Sequence, residues 1–330
     1  MTDNDRMLRR TATRIGGAML VFLFLFYALT IVAQVISEVL TYSLEDVPAQ
    51  IVGEILTMTA YFASFVLPGI FLILISRRHP EYRPVSLRFR LPALTPVIII
   101  AGIAFNLVIA YVNSFTILTL FPNINTGAMD SISDEAPAVY ELILAIFSTA
   151  VVPALCEEFL FRGAILTQLK PFGNTAAIVV SAVLFGLMHQ NVLQILYTTM
   201  LGIVLGIICV RIGSLWCGVL LHFFNNLYSV LQEYIDAWWH WDRLYALTLF
   251  LLIGGGALCI ALLLKRAKKE TPDPRETGSF GRLYEQSYDY DEYPVSAGYR
   301  LRMLASPTII VFGVLALLSA CGTLLILLAM

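Results

Sequence analysis

Long apolar runs bounded by short polar segments recur along the whole chain. A bilayer core of about 30 Å needs roughly 20 apolar residues per helix. Nine runs meet or approach that length: 16–36, 51–76, 92–121, 139–169, 176–190, 192–210, 215–231, 244–264 and 308–328. The pattern predicts an all-α, polytopic transmembrane bundle of about nine spans, the shortest three lying together between residues 176 and 231. It divides into N-terminal membrane helices at 1–138, a core at 139–235, an eighth span at 236–264, a polar linker at 265–304 and a C-terminal span at 305–330.

Composition explains why lipid must be the solvent. Apolar residues make up 58% of the 330 positions and charged residues 13%, against about half and a quarter in soluble domains. A net charge of −2 with no concentrated basic face excludes nucleic acid as a partner. Of the 21 Lys and Arg residues, all but Arg162 and Arg243 fall on one side if the N-terminus is cytoplasmic. Glu45, Asp46, Asp130, Asp134 and Glu135 fall on the other, as the positive-inside rule expects of a multi-pass cell-membrane protein. The first run lacks a small-residue cleavage site and reads as an uncleaved anchor rather than a signal peptide. Cys156, Cys209, Cys217, Cys259 and Cys321 all sit in apolar runs without metal-ligand spacing, and read as buried thiols. The linker, with Tyr284, Tyr288, Tyr290 and Tyr293 among acidic residues, reads as a mobile cytoplasmic segment.

Against this background the intramembrane polar residues stand out. Glu157, Glu158 and Arg162 interrupt the fourth run, His189 the fifth, and His222 and Asn226 the seventh. Unpaired, the three charges would cost on the order of 8–10 kcal/mol even on a mild insertion scale. On a helix Glu158 and Arg162 share a face and can pair, while Glu157 turns about 100° away. Phe185 and His189 repeat the four-residue spacing, as do His222 and Asn226. Counted from the turn near Pro171, Glu157 and His189 lie at similar depth, roughly 21–23 Å along their helices. Asn226 lies about 18 Å beyond Ser214. Three helices thus bring polar groups to one layer.

Three readings fit such a layer. A buried polar network could fix helix packing, which accounts for Asn106 or Asn113 but poorly for five ionisable groups together. A proton-coupled transporter would use carboxylate and imidazole as a relay, although no inverted repeat is present. Hydrolysis would use a carboxylate base, an imidazole and an amide donor around one water.

The three clusters resemble those of the CPBP intramembrane proteases, the family of type II CAAX prenyl proteases and bacterial Abi proteins. Glu157, Glu158 and Arg162 match its Glu-Glu-x-x-x-Arg motif, Phe185 and His189 its Phe-x-x-x-His, and His222 and Asn226 its His-x-x-x-Asn. The resemblance covers about residues 139–231. It implies a conical catalytic cavity between spans four, five and seven, with Glu157 as general base and His189 holding the attacking water. His222 and Asn226 would donate to the oxyanion, and Glu158, Arg162 and Phe185 would support them. It implies a membrane-bound or lipidated peptide as substrate; a non-catalytic immunity or chaperone-like role is the alternative alongside transport. Glu157, His189 and His222 could also ligate a catalytic zinc. The missing His-Glu-x-x-His motif favours a metal-free mechanism.

Overall fold

The computed structural model describes residues 2–42, 46–83, 87, 89–124, 138–239, 242–269, 295, 298 and 306–329. The tyrosines of the polar linker lie outside these residues. Nine helices account for almost all of the described chain, and no strand occurs among the described residues. They are α1 (Asp3–Thr41), α2 (Asp46–Ser76), α3 (Thr95–Leu120), α4 (Val139–Phe172), α5 (Asn174–Met188), α6 (Val192–Ile212), α7 (Trp216–Trp239), α8 (Asp242–Lys269) and α9 (Pro307–Ala329). Each of the nine apolar runs coincides largely with one of these helices. Seven of these helices are long and apolar enough to cross a membrane, leaving out α5 and α7. The 15 residues of α5 extend about 22 Å, short of a bilayer core. The polar side chains of α7, among them His222, Asn225 and Asn226, dilute its hydropathy over 24 residues.

Local chemistry sets several helix ends. Thr2 and Asp5 form a reciprocal capping box that starts α1. Asn191 accepts from the Leu193 amide at 2.9 Å and opens α6. Gly213 closes α6 in the left-handed region at φ +67°, where a side chain would be strained. Between α5 and α6 the chain turns through Gln190, whose φ of +52° is unusual for a residue with a side chain.

The core is built where α4 packs against α2 and α5, and where α1 packs against α2 and α9. Phe22, Phe65, Leu160, Phe161, Phe172, Phe185 and Phe312 are all buried in it. Helices approach closely at small residues: a Cβ on Gly16 would lie 2.6 Å from the Ile309 amide nitrogen of α9, and one on Gly256 of α8 would lie 2.0 Å from Ala104 Cβ of α3. A smaller cluster, including Ile103, Leu205, Cys217 and Leu221, joins α3, α6 and α7. At the N-terminal end of α1, Arg14 pairs with buried Glu81 and ties the segment after α2 to α1.

The cysteines form no disulfide. Burial of all five does not hold: Cys321 is exposed, and Cys209 and Cys259 are half-buried. An apolar run in a membrane helix includes the outward face, so hydropathy alone cannot separate bundle-facing from outward-facing thiols.

Candidate active site

The site is organised by α4, whose helix is widened twice. Ile146–Val151 and Phe159–Leu166 are π-helical, on either side of about two regular turns at Val152–Glu158. A π segment displaces carbonyls from the regular ladder and often marks a functional position. Two carbonyls in these segments receive side chains from other helices. Thr149 O accepts from Asn226 Nδ2 at 2.9 Å, and Phe161 O accepts from Ser181 Oγ at 3.0 Å.

Glu157 and Glu158 diverge from this turn. Glu158 Oε1 accepts from Arg162 Nη1 at 2.8 Å and from His222 Nδ1 at 3.1 Å. Arg162 donates through Nη2 to Gly202 O of α6 at 3.1 Å, and its Cζ lies 4.3 Å from the centroid of the Phe185 ring. A guanidinium satisfies this geometry because it is planar, forked and able to lie over an aromatic face. Glu158 is 0% exposed and Arg162 1%, so each charge depends on the other for compensation.

Glu157, 2% exposed, turns toward α2. Its Oε1 accepts from the Tyr61 hydroxyl. Its Oε2 has no hydrogen-bond partner and lies 3.9 Å from His222 Nε2. Because Glu158 accepts a hydrogen bond from the His222 Nδ1–H, Nε2 carries a lone pair in the neutral ring and an N–H in the imidazolium.

His189 is placed by the end of α5, not within its body. It is the residue after Met188, with its amide nitrogen bonded to Gly186 O at 3.2 Å. The helix stops there because Gln190 adopts its left-handed turn, a feature the apolar run conceals. His189 Nδ1 lies 2.9 Å from Phe185 O. A carbonyl can only accept, so Nδ1 bears a proton, and in the neutral ring Nε2 carries the lone pair. Phe185 packs edge-on against both imidazoles, 5.2 Å from the His189 ring and 5.8 Å from the His222 ring. Phe161 meets Ser181 and Phe185 where α4 and α5 pack together.

Asn226 lies one turn beyond His222. Asn106 Nδ2 of α3 donates to Asn225 Oδ1 at 2.9 Å, and Asn225 Nδ2 donates to Asn226 Oδ1 at 3.2 Å. The chain ends on Thr149 O through Asn226 Nδ2. One of the two N–H bonds of that amide is thereby committed, and the other remains to donate.

Glu157, Glu158, Arg162, Phe185 and His222 are therefore contiguous. His189 joins them across the Phe185 ring, and Asn226 stands beside them on α7. Among the described residues no three His, Cys, Asp or Glu side chains group so as to hold a metal ion. Glu157, His189 and His222 do not form a ready metal shell. Sequence reasoning missed Tyr61 and Asn225 and assigned Asn106 to packing alone. Tyr61 gives no warning in an apolar run because a phenol is amphipathic. Asn225 is adjacent to Asn226, and that doubling was the available signal.

Residues 139–228 match the family model for type II CAAX prenyl endopeptidase, Rce1-like. That segment spans α4 to the middle of α7 and contains the three polar motifs. No curated protein and no solved structure matches the chain.

Proposed function

We propose, taking the Rce1-like domain as the premise, that this protein is an intramembrane endopeptidase that hydrolyses peptide bonds of membrane-bound or lipid-anchored substrates. The observation that carries the reading is a buried carboxylate, Glu157, whose Oε2 is unpartnered and only 3.9 Å from His222 Nε2. Two atoms at that separation can both contact one water oxygen. Glu157 is the general base, and the Nε2 lone pair of His189 accepts the water's second hydrogen.

The oxygen of that water attacks the scissile carbonyl carbon as its proton passes to Glu157 Oε2. The carbonyl π electrons move to oxygen, which accepts from protonated His222 Nε2 and from the remaining N–H of Asn226. Preorganised donors of this kind are usually the largest contribution to acyl-transfer catalysis. With His222 protonated, Glu157, Glu158, Arg162 and His222 sum to zero charge. Proton transfer to Glu157 makes the group +1 as the substrate oxygen becomes −1. Collapse of the intermediate breaks the C–N bond, and the Glu157 proton passes to the departing nitrogen. Glu158 and Arg162 hold His222 and the α4 turn in place.

The reading includes a conical, hydrated cavity between α4, α5 and α7. It also places the N-terminus in the cytoplasm and the chain in the cell membrane, which the one-sided distribution of Lys and Arg supports. The mechanism is metal-free. The test is peptide profiling of membranes from cells that carry wild-type protein or Glu157→Gln. A defined set of membrane-bound or lipidated peptides should accumulate uncleaved in the variant. Identical profiles with equal protein levels would contradict the assignment.

A further inference from the structure

Helices α1 and α2 lie outside the segment matched to the endopeptidase family, yet one of their side chains reaches the carboxylate central to the chemistry. Tyr61 of α2 donates its hydroxyl proton to Glu157 Oε1. Rotation about the last bond of a glutamate side chain is broad and nearly twofold. A donor fixed on one oxygen therefore decides where the other points. With Oε1 held on the α2 side, Oε2 is the oxygen turned toward His222.

The phenol is itself immobilised. Its ring packs 4.7 Å from that of Phe65 and edge-on to Phe26 at 6.3 Å, and Phe65 packs 4.7 Å from Phe22 of α1. Ser64 Oγ donates to Tyr61 O at 2.7 Å and further constrains the turn. This aromatic ladder carries a hydroxyl on a stem with few rotatable bonds, so holding Glu157 costs little side-chain entropy.

We infer that Tyr61 is a positioning residue for Glu157, aiming Oε2 at the attacking water, so that α1 and α2 are part of the catalytic apparatus. The inference rests on the protease reading. Tyr61→Phe removes the hydroxyl and leaves the ring to pack on Phe26 and Phe65. Its test uses the full chain in proteoliposomes with a lipid-anchored reporter peptide, and isotope-edited infrared spectra of the glutamate carboxylates.

In Tyr61→Phe, kcat should fall about tenfold or more while KM stays within twofold, because misplacing a reacting group costs rate rather than ground-state binding. A carboxylate band should move in Tyr61→Phe but not when the same change is made in Glu157→Gln. Wild-type cleavage with an unchanged kcat in Tyr61→Phe would overturn the positioning role alone. A band that does not move would overturn the contact. If wild-type protein cleaves no lipid-anchored reporter while the band still moves, the protease reading fails, and the positioning role fails with it.

Discussion

Replacing Arg162 isolates the electrostatics of the site from its chemistry. The Glu158–Arg162 separation is 2.8 Å and both side chains are fully buried. At an effective dielectric constant of 20, Coulomb attraction at that distance is about 6 kcal/mol before desolvation is subtracted. Arg162→Met removes this attraction, the bond to Gly202 O and the contact with Phe185, and leaves Glu158 with His222 Nδ1 as its hydrogen-bond donor. Breaking a buried pair from one side typically costs about 3–5 kcal/mol, whereas replacing both members with apolar side chains is near neutral. Arg162→Met should therefore destabilise the full chain by about 3–5 kcal/mol, and Glu158→Met with Arg162→Met by distinctly less. The coupling is measured by a double-mutant cycle on denaturant unfolding in bicelles. Additive losses, or an Arg162→Met loss under about 1 kcal/mol, would refute the argument that this pair balances its own burial.

The asparagine relay and the helix contacts give further tests. Asn225→Ala removes the donor to Asn226 Oδ1, and kcat on a lipid-anchored peptide should fall about tenfold with KM held, as expected when an oxyanion donor loses its orientation. Gly186→Ala places a Cβ 2.8 Å from the Ile195 carbonyl oxygen; overpacking α5 against α6 should lower stability by about 1–3 kcal/mol in the same bicelle assay. Tyr27→Phe removes the hydroxyl that donates to Gln190, so amide hydrogen exchange at the turn around His189 and Gln190 should accelerate while that in α3 is unchanged. Protein stripped by chelation and shown metal-free by elemental analysis should retain cleavage, and recovery only on addition of zinc would contradict the metal-free chemistry.

The ionisable groups were legible because lipid makes them costly, so each one in an apolar run announces itself. Four-residue spacing likewise placed Glu158 beside Arg162, since α4 keeps them on one face despite its π segments. Polar groups with small desolvation costs stayed hidden. Tyr61 gave no such signal, and Asn106 looked like one more interhelical hydrogen bond until its partner proved to be Asn225. The end of α5 was equally concealed. The apolar run reads on to Gln190 although His189, Gln190 and Asn191 are polar, because the turn there depends on the backbone of Gln190 and its contact with Tyr27 rather than on a glycine or proline. Conversely, the polar residues of α7 shortened its apparent run to 215–231, although the helix continues to Trp239.

Single-turnover hydrolysis of a lipid-anchored peptide in ¹⁸O-labelled water, by purified full-length protein in proteoliposomes, probes the role of Glu157 most directly. One ¹⁸O is expected in the new carboxylate of the peptide, none in the Glu157 side chain, and no product from Glu157→Gln. Label appearing in Glu157, or product formed at the wild-type rate by Glu157→Gln, would contradict that role.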